Sequence, residues 1–201
     1  DFLLTGAVST AESLYFMRQN FSGIFYSIIN PMTASFPSTP LVPIYTGFVS
    51  LVDIDGDGKP DLVVANPGSN SVSVFKNISL YGKITFADKI DYSVNSPYAL
   101  SIGDLNADDK PDIVATNNFS NLLSVLKNNS SVGNISMTDK KDYATGSSPW
   151  GVTIDDLDGD GSPDVALTNY SGNAISVLKN MSTNGEISLA AKVDYVAGNN
   201  P

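Results

Sequence analysis

Three stretches of this chain place an acidic or amide side chain at every second residue. They are Asp53-x-Asp55-x-Asp57-Gly58-x-x-Asp61, Asp104-x-Asn106-x-Asp108-Asp109-x-x-Asp112 and Asp156-x-Asp158-x-Asp160-Gly161-x-x-Asp164. Carboxylates crowded this closely repel one another strongly unless a cation joins them. Positions 1, 3, 5 and 9 converge on one point only if the backbone wraps around it, and a residue with positive φ at position 6, hence Gly58 and Gly161, permits the wrap. An oxygen-only donor set suits Ca2+, which takes about six to eight hard oxygen ligands in tolerant geometry. The position-7 carbonyls of Lys59, Lys110 and Ser162 are expected to complete the three sets.

Proline at position 8 (Pro60, Pro111, Pro163) holds the preceding residue extended and sets the last Asp at the mouth of the next element. The twelfth position is Val64, Ala115 or Leu167 rather than Glu, which argues against an EF-hand. The middle loop is expected to bind most weakly. Asn106 replaces an acid there, and Asp109 stands where Gly serves best. Three divalent ions would bring the net charge from −10 to −4. Their expected role is structural, each closing a turn.

The loops must be held by the elements around them, and those elements repeat. Residues 98–149 and 150–201 align without a gap, and residues 47–97 align with both, at 51–52 residues per unit. Each unit opens with an alternating apolar segment (Val49–Leu51, Leu100–Ile102, Val152–Ile154) that leads into the acidic loop. Then come an apolar run ending in Asn (Leu62–Asn66, Ile113–Asn117, Val165–Asn169) and a third run (Val72–Asn77, Leu123–Asn128, Ile175–Asn180). The short segments Ile84–Phe86, Ile135–Met137 and Ile187–Leu189 follow and are taken as the fourth strand, before Lys-x-Asp-Tyr and a closing Pro. Period-2 alternation, β-branched content and regular turn signals predict an all-β fold of four-stranded antiparallel units, the size of propeller blades.

Residues 1–46 are expected to be a divergent, N-terminally truncated repeat. Asp1–Gly6 is matched to Asp61–Asn66, and Ser13–Asn20 to the third strand. The chain opens at Asp1 without an initiator Met or a signal-peptide pattern and is read as a segment of a longer precursor.

Composition removes several kinds of function. The chain has no His and no Cys, so Ser-His-Asp and Cys-His catalysis, thiol chemistry and a disulfide framework are all absent. Paired acids that could cleave glycosides occur only inside the acidic loops, where a metal would occupy them. A net charge of −10 opposes nucleic acid and anionic membranes, and no apolar run is long enough to insert into a bilayer. The protein is not expected to be an enzyme.

The segments Asp53–Asn77, Asp104–Asn128 and Asp156–Asn180 resemble the FG-GAP/VCBS repeat of integrin α-subunit propellers and many bacterial surface proteins. The resemblance implies a β-propeller, usually of seven blades, with calcium loops between the first two strands of a blade. It assigns the metal to Asp53, Asp55, Asp57, Asp61, Asp104, Asn106, Asp108, Asp112, Asp156, Asp158, Asp160 and Asp164. The Phe-Gly and Gly-Ala-Pro signatures are degenerate, with Asn66-Pro67-Gly68 the nearest approach to the latter. Four units do not close a seven-bladed ring, so a partial propeller or an open repeat array is expected.

The functional expectation is a calcium-stabilised, non-catalytic binding or adhesion module, secreted or on a cell surface, that takes a protein or glycan through its inter-blade loops. Two alternatives stand beside it. One is a structural unit of an extracellular fibre or surface layer that self-associates to complete or extend the array; the other is the accessory propeller of a secreted hydrolase. Asn-x-Ser sequons occur at Asn20, Asn77, Asn118, Asn128, Asn129, Asn134, Asn169 and Asn180, and the three in register, Asn77, Asn128 and Asn180, are read as a duplicated turn residue in preference to glycan sites. Tyr92, Tyr143 and Tyr195, with Tyr98 and Trp150, are read as blade-packing aromatics, and Lys76, Lys127 and Lys179 as capping or solvating strand ends.

Overall fold

The structure, a computed structural model, describes residues 48–201 except Asn184, together with the strands Phe16–Gln19 and Phe25–Ile28. The chain divides into two units, Asp1–Thr46 and Gly47–Pro201. In the first, β1 (Phe16–Gln19) pairs antiparallel with β2 (Phe25–Ile28), Phe16 opposite Ile28. The proposed match of Asp1–Gly6 to a second strand lies outside the described residues, as does Asn20.

The second unit holds three four-stranded antiparallel sheets, each built from strands consecutive in the chain. The first is β3 (Val49–Val52), β4 (Asp61–Asn66), β5 (Ser71–Phe75) and β6 (Ile90–Ser93). The second is β7 (Pro97–Gly103), β8 (Asp112–Asn117), β9 (Leu122–Leu126) and β10 (Lys141–Ala144), and the third is β11 (Pro149–Asp155), β12 (Asp164–Asn169), β13 (Ala174–Leu178) and β14 (Val193–Val196). The fold is all-β, in blades of four antiparallel strands. No helix among the described residues is long and apolar enough to cross a membrane.

One expectation is corrected. The fourth strand of each sheet is the Lys-x-Asp-Tyr segment, not the Ile-x-Phe/Met/Leu segment before it. The latter folds back along the end of the third strand through single bridges, Asn77 to Phe86, Asn128 to Met137 and Asn180 to Leu189. Three alternating residues are too few to hold an edge against solvent. The later segment carries an Asp that bonds to the third strand and, in the first two sheets, a Tyr that packs between sheets.

Two cores hold the sheets together, and the pleat divides the residues between them. Ile54, Val63, Val72 and Val74 meet Ile113, Ala115, Leu126 and Ile135 between the first and second sheets. Leu105, Val114, Leu123 and Val125 meet Val165, Leu167, Leu178, Ile187 and Leu189 between the second and third. The middle sheet is thus covered on both faces, and β8 is buried at all six positions. Tyr92 and Tyr143 pack against these cores, in agreement with the packing role read from sequence. Their counterpart Tyr195 is exposed, as are Ile175 and Leu157. Ile54 and Leu105 are each 2% exposed, but Leu157, at the same place in the third repeat, is 55% exposed.

Inside each sheet a polar relay crosses from the second strand to the fourth. Asn66 Nδ2 donates to Ser73 Oγ at 2.7 Å, and Ser73 Oγ donates to Asp91. Asn117, Ser124 and Asp142 repeat the arrangement, as do Asn169, Ser176 and Asp194, with the last bond at 2.6 Å. Lys89, Lys140 and Lys192 pair with the terminal carboxylates from the solvent side. The Ser73 hydroxyl, followed by Lys89, holds Asp91 below the ordinary carboxylate range despite the opposing effect of burial.

Ser124 is fully buried, so Ser124→Ala strands both the Asn117 amide and an Asp142 oxygen. It should cost about 1–3 kcal/mol in urea-induced unfolding. A loss below about 0.5 kcal/mol would mean that the relay contributes nothing to the stability of the sheet.

Candidate metal centre

Each acidic loop bridges the first two strands of a sheet, leaving β3, β7 or β11 and entering β4, β8 or β12 at its ninth residue, Asp61, Asp112 or Asp164. The loops fold around their own carboxylates. In the first, Asp53 accepts the N–H groups of Asp57 (3.1 Å) and Gly58 (2.8 Å), while Asp57 accepts that of Lys59 (3.0 Å). In the second, Asp104 accepts from Asp108 (3.3 Å) and Asp109 (2.8 Å), and Asp108 from Lys110 (3.1 Å). In the third, Asp156 accepts from Gly159 (2.8 Å) and Gly161 (2.9 Å), and Asp160 from Ser162 (2.9 Å). The peptides of Lys59, Lys110 and Ser162 therefore lie against the loops at the seventh position.

The wrap uses two left-handed residues per loop rather than the single one expected. Position 6 has φ of 85° at Gly58, 62° at Asp109 and 86° at Gly161. Position 4 is also left-handed, with φ of 71° at Gly56, 57° at Ala107 and 79° at Gly159. The middle loop alone meets both demands without glycine, and a left-handed conformation costs an ordinary L-residue roughly 1–2 kcal/mol.

The ninth-position Asp anchors each loop to the sheet. Asp61 accepts the N–H of Ile54 at 3.0 Å with one oxygen and that of Asn77, at the end of β5, at 2.8 Å with the other. Asp112 does the same with Leu105 (2.9 Å) and Asn128 (2.8 Å), and Asp164 with Leu157 (3.3 Å) and Asn180 (2.8 Å). Burial raises the Asp112 carboxyl to about 6 although the Asn128 and Leu105 N–H groups pull it down, and Asp108 and Asp104 add to the rise. Burial also pushes Asp61 up.

The donors suit a hard divalent cation. Carboxylate oxygens of Asp53, Asp55 and Asp61 lie within 4.8 Å of one another, and so do those of Asp156, Asp158 and Asp164. That spread suits a common ion at about 2.3–2.6 Å from each oxygen. In the middle loop the third position is Asn106, buried to 93% by its 7% exposure. Its Nδ2 donates to Asp108 (3.1 Å) and to the Gly185 carbonyl (2.6 Å), while its Oδ1 is buried without a protein partner. A bound cation would satisfy this acceptor, which stands at a ligand position; Asn117 Oδ1 and Asn169 Oδ1, in the polar relays, are likewise buried without a protein partner. Bound there, Ca2+ would supply charge neutralisation and a cross-link between first and second strands.

Sequence reasoning missed what two recurring side chains do. Lys76 pairs with Asp55 and, at 3.3 Å, with Asp57. Lys179 pairs with Asp158 and, at 3.1 Å, with Asp160, whereas Lys127 turns instead to Glu186 at 3.3 Å. Two of these lysines thus enter the acidic loops rather than solvating strand ends. The Ser162 N–H and then Lys179 hold Asp160 below the ordinary carboxylate range, and Asp55 raises the Lys76 ammonium despite opposing burial. The recurring asparagines Asn128 and Asn180 are buried with both amide hydrogens bonded, as expected of structural turn residues rather than glycan sites. Their register was visible in the repeat, but their partners lie too far away in sequence for local pattern to reveal.

The hairpin tip of each following repeat lies near the loop before it. Gly56 faces Val132, and Gly133 faces the Lys76 ammonium. Asn106 meets Gly185, next to Glu186. No described residue holds that position for the third loop, where Asp156, Asp158 and Asp160 are exposed.

At the other end of the sheets runs a row of rings. Phe48 and Tyr98 are 5.9 Å apart, Tyr98 and Trp150 4.2 Å, and Trp150 and Tyr170 5.2 Å. A sequence-family model described as an FG-GAP-like repeat matches residues 53–115 and 104–167, each match running from one acidic loop past the next. No curated protein matches the chain.

Ala107→Gly combined with Asp109→Gly should stabilise the chain by about 1–3 kcal/mol, read from chemical unfolding, by relieving both left-handed positions. An unchanged or lowered stability would refute the strain. The raised Asp112 carboxyl leads to a second outcome. A cation takes the carboxylate form, so a proton competes with it, and affinity at the middle loop should fall as pH drops through about 6. Calorimetry at pH 6 in two buffers of different ionisation enthalpy should show proton release on calcium addition; its absence would contradict the assignment.

Proposed function

Because the chain belongs to the FG-GAP-like repeat family, we propose that it is a calcium-stabilised, non-catalytic binding or adhesion module of a secreted or cell-surface protein. The observation that carries this reading is the unpartnered Asn106 oxygen, buried within an acidic loop whose counterparts gather three carboxylates each. Calcium in these loops would tie first strand to second in a chain without cysteine to cross-link it. The middle site is the weakest, since it has one carboxylate fewer among positions 1, 3, 5 and 9 and two strained residues. The loops at the end of the sheets away from the metal take a protein or glycan partner, and the rings from Phe48 to Tyr170 supply stacking surface there.

A second reading, a unit of an extended array, is favoured by the outer face of the third repeat. Leu157, Ile175 and Tyr195 stand exposed where their counterparts in the other repeats are covered by a neighbouring sheet. A further repeat would bury the same positions.

Thermal unfolding followed by circular dichroism, first in excess EGTA and then in millimolar Ca2+, tests the first reading. A ligand that binds only the native state at about a hundred times its Kd adds about 2.7 kcal/mol per site. A rise of about 10 °C or more in Tm is therefore expected. An unchanged Tm with no heat of binding would reduce the loops to ordinary acidic turns. Sedimentation of the chain against its Leu157→Arg variant tests the second: concentration-dependent mass that the variant abolishes supports an array, and a monomer at all concentrations counts against it.

A further inference from the structure

We propose that the three metal loops form one linked series, in which the carboxamides of Asn128 and Asn180 couple calcium binding in each loop to binding in the next. The inference rests on the calcium reading above and adds a relation between sites that are otherwise separate.

The connection is continuous in hydrogen bonds. The peptide of Ile54 lies between two ligand positions of the first loop, and its carbonyl accepts from Asn128 Nδ2 of the second repeat at 2.8 Å. The same Nδ2 donates to the Pro111 carbonyl in the second loop at 3.1 Å. The Asn128 N–H donates to Asp112 Oδ1 at 2.8 Å, and Asp112 Oδ2 accepts from the N–H of Leu105 at 2.9 Å. Leu105 lies between ligand positions of the second loop, and the pattern starts again. Its carbonyl accepts from Asn180 Nδ2 at 2.8 Å, which also donates to Pro163 at 2.8 Å. The Asn180 N–H reaches Asp164 Oδ1 at 2.8 Å, and Asp164 Oδ2 accepts from Leu157 at 3.3 Å.

Each link passes through the loop's own ninth-position ligand, and the linking side chains are buried, Asn128 fully and Asn180 to 3% exposure. Buried networks of this kind are held together or lost together, because a broken link strands carbonyls away from water. An ion that fixes the Ile54 peptide by gripping Asp53 and Asp55 thereby fixes Asn128, and through it the orientation of Asp112. The hairpin tips strengthen the dependence, since Asn106 of the second loop is oriented by the Gly185 carbonyl of the third repeat.

The test is a double-mutant cycle on the full 201-residue chain, with calcium binding followed at each loop by the amide resonances of Gly58, Asp109 and Gly161. Disabling the first loop with Asp53→Asn and Asp57→Asn should weaken binding at the second by about fivefold or more, the lower range of site-to-site coupling. In an Asn128→Asp background, where the side chain keeps its shape but donates nothing, the same pair should produce no further weakening at the second loop. Calcium binding that is normal at the second loop despite a disabled first loop overturns the coupling and leaves the calcium reading intact. Absence of binding at every loop of the unaltered chain overturns both. If Asn128→Asp does not fold, Asn180→Asp gives the same cycle between the second and third loops. If neither folds, hydrogen exchange decides: lost protection at Leu105 and Asn128 on disabling the first loop supports the coupling, and unchanged protection overturns it.

Discussion

The structure depends on a buried carboxylate that faces two ways. Asp61, Asp112 and Asp164 stand where a loop becomes a strand, and each divides its oxygens between a loop peptide and the end of the third strand. Removing such a group from water is costly, and two N–H donors offset only part of that cost, as the upward shifts of Asp61 and Asp112 show. On the calcium reading, a bound cation would supply the remainder. The loops, the sheet edges and the junctions between repeats all pass through this one residue type at this one position.

Burial follows from the place of a repeat in the series as much as from its sequence. β4, β8 and β12 are similar in composition, yet only β8 is buried at every position. Among the described residues, the second sheet is the one packed against a sheet on both sides. Ile54, Leu105 and Leu157 make the same point: equivalent apolar residues are core or surface according to whether another sheet follows. The middle loop carries the most backbone strain, with Ala107 and Asp109 exposed and left-handed while the Asp104 carboxylate accepts the N–H groups of Asp108 and Asp109.

Much of this was legible in the residues. The repeat, its strands and its acidic loops follow from alternation, spacing and Gly or Pro at fixed places, all of which are local signals. The fourth strand was misplaced because two short segments competed for it, and the decision lay in Ser73, Ser124 and Ser176 bonding to an Asp 18 residues away. The lysines were misjudged for the same reason: Lys76 meets Asp55 across 21 residues, a proximity that only pairing of three strands creates. Asn128 reaches Ile54 across 74 residues and a sheet boundary, which no periodicity within one repeat can announce.

The aromatic row has an optical consequence. The chain contains a single tryptophan, and Trp150 lies in that row between Tyr98 of the second repeat and Tyr170 of the third. Its rings sit at the end of the sheets away from the acidic loops, so no loop carboxylate quenches it directly. Excitation of Tyr98, which belongs to the neighbouring sheet, reaches it at this close range only while the two sheets remain docked, whereas Tyr170 shares the sheet of Trp150. Its emission is therefore a built-in gauge of the junction between the second and third repeats.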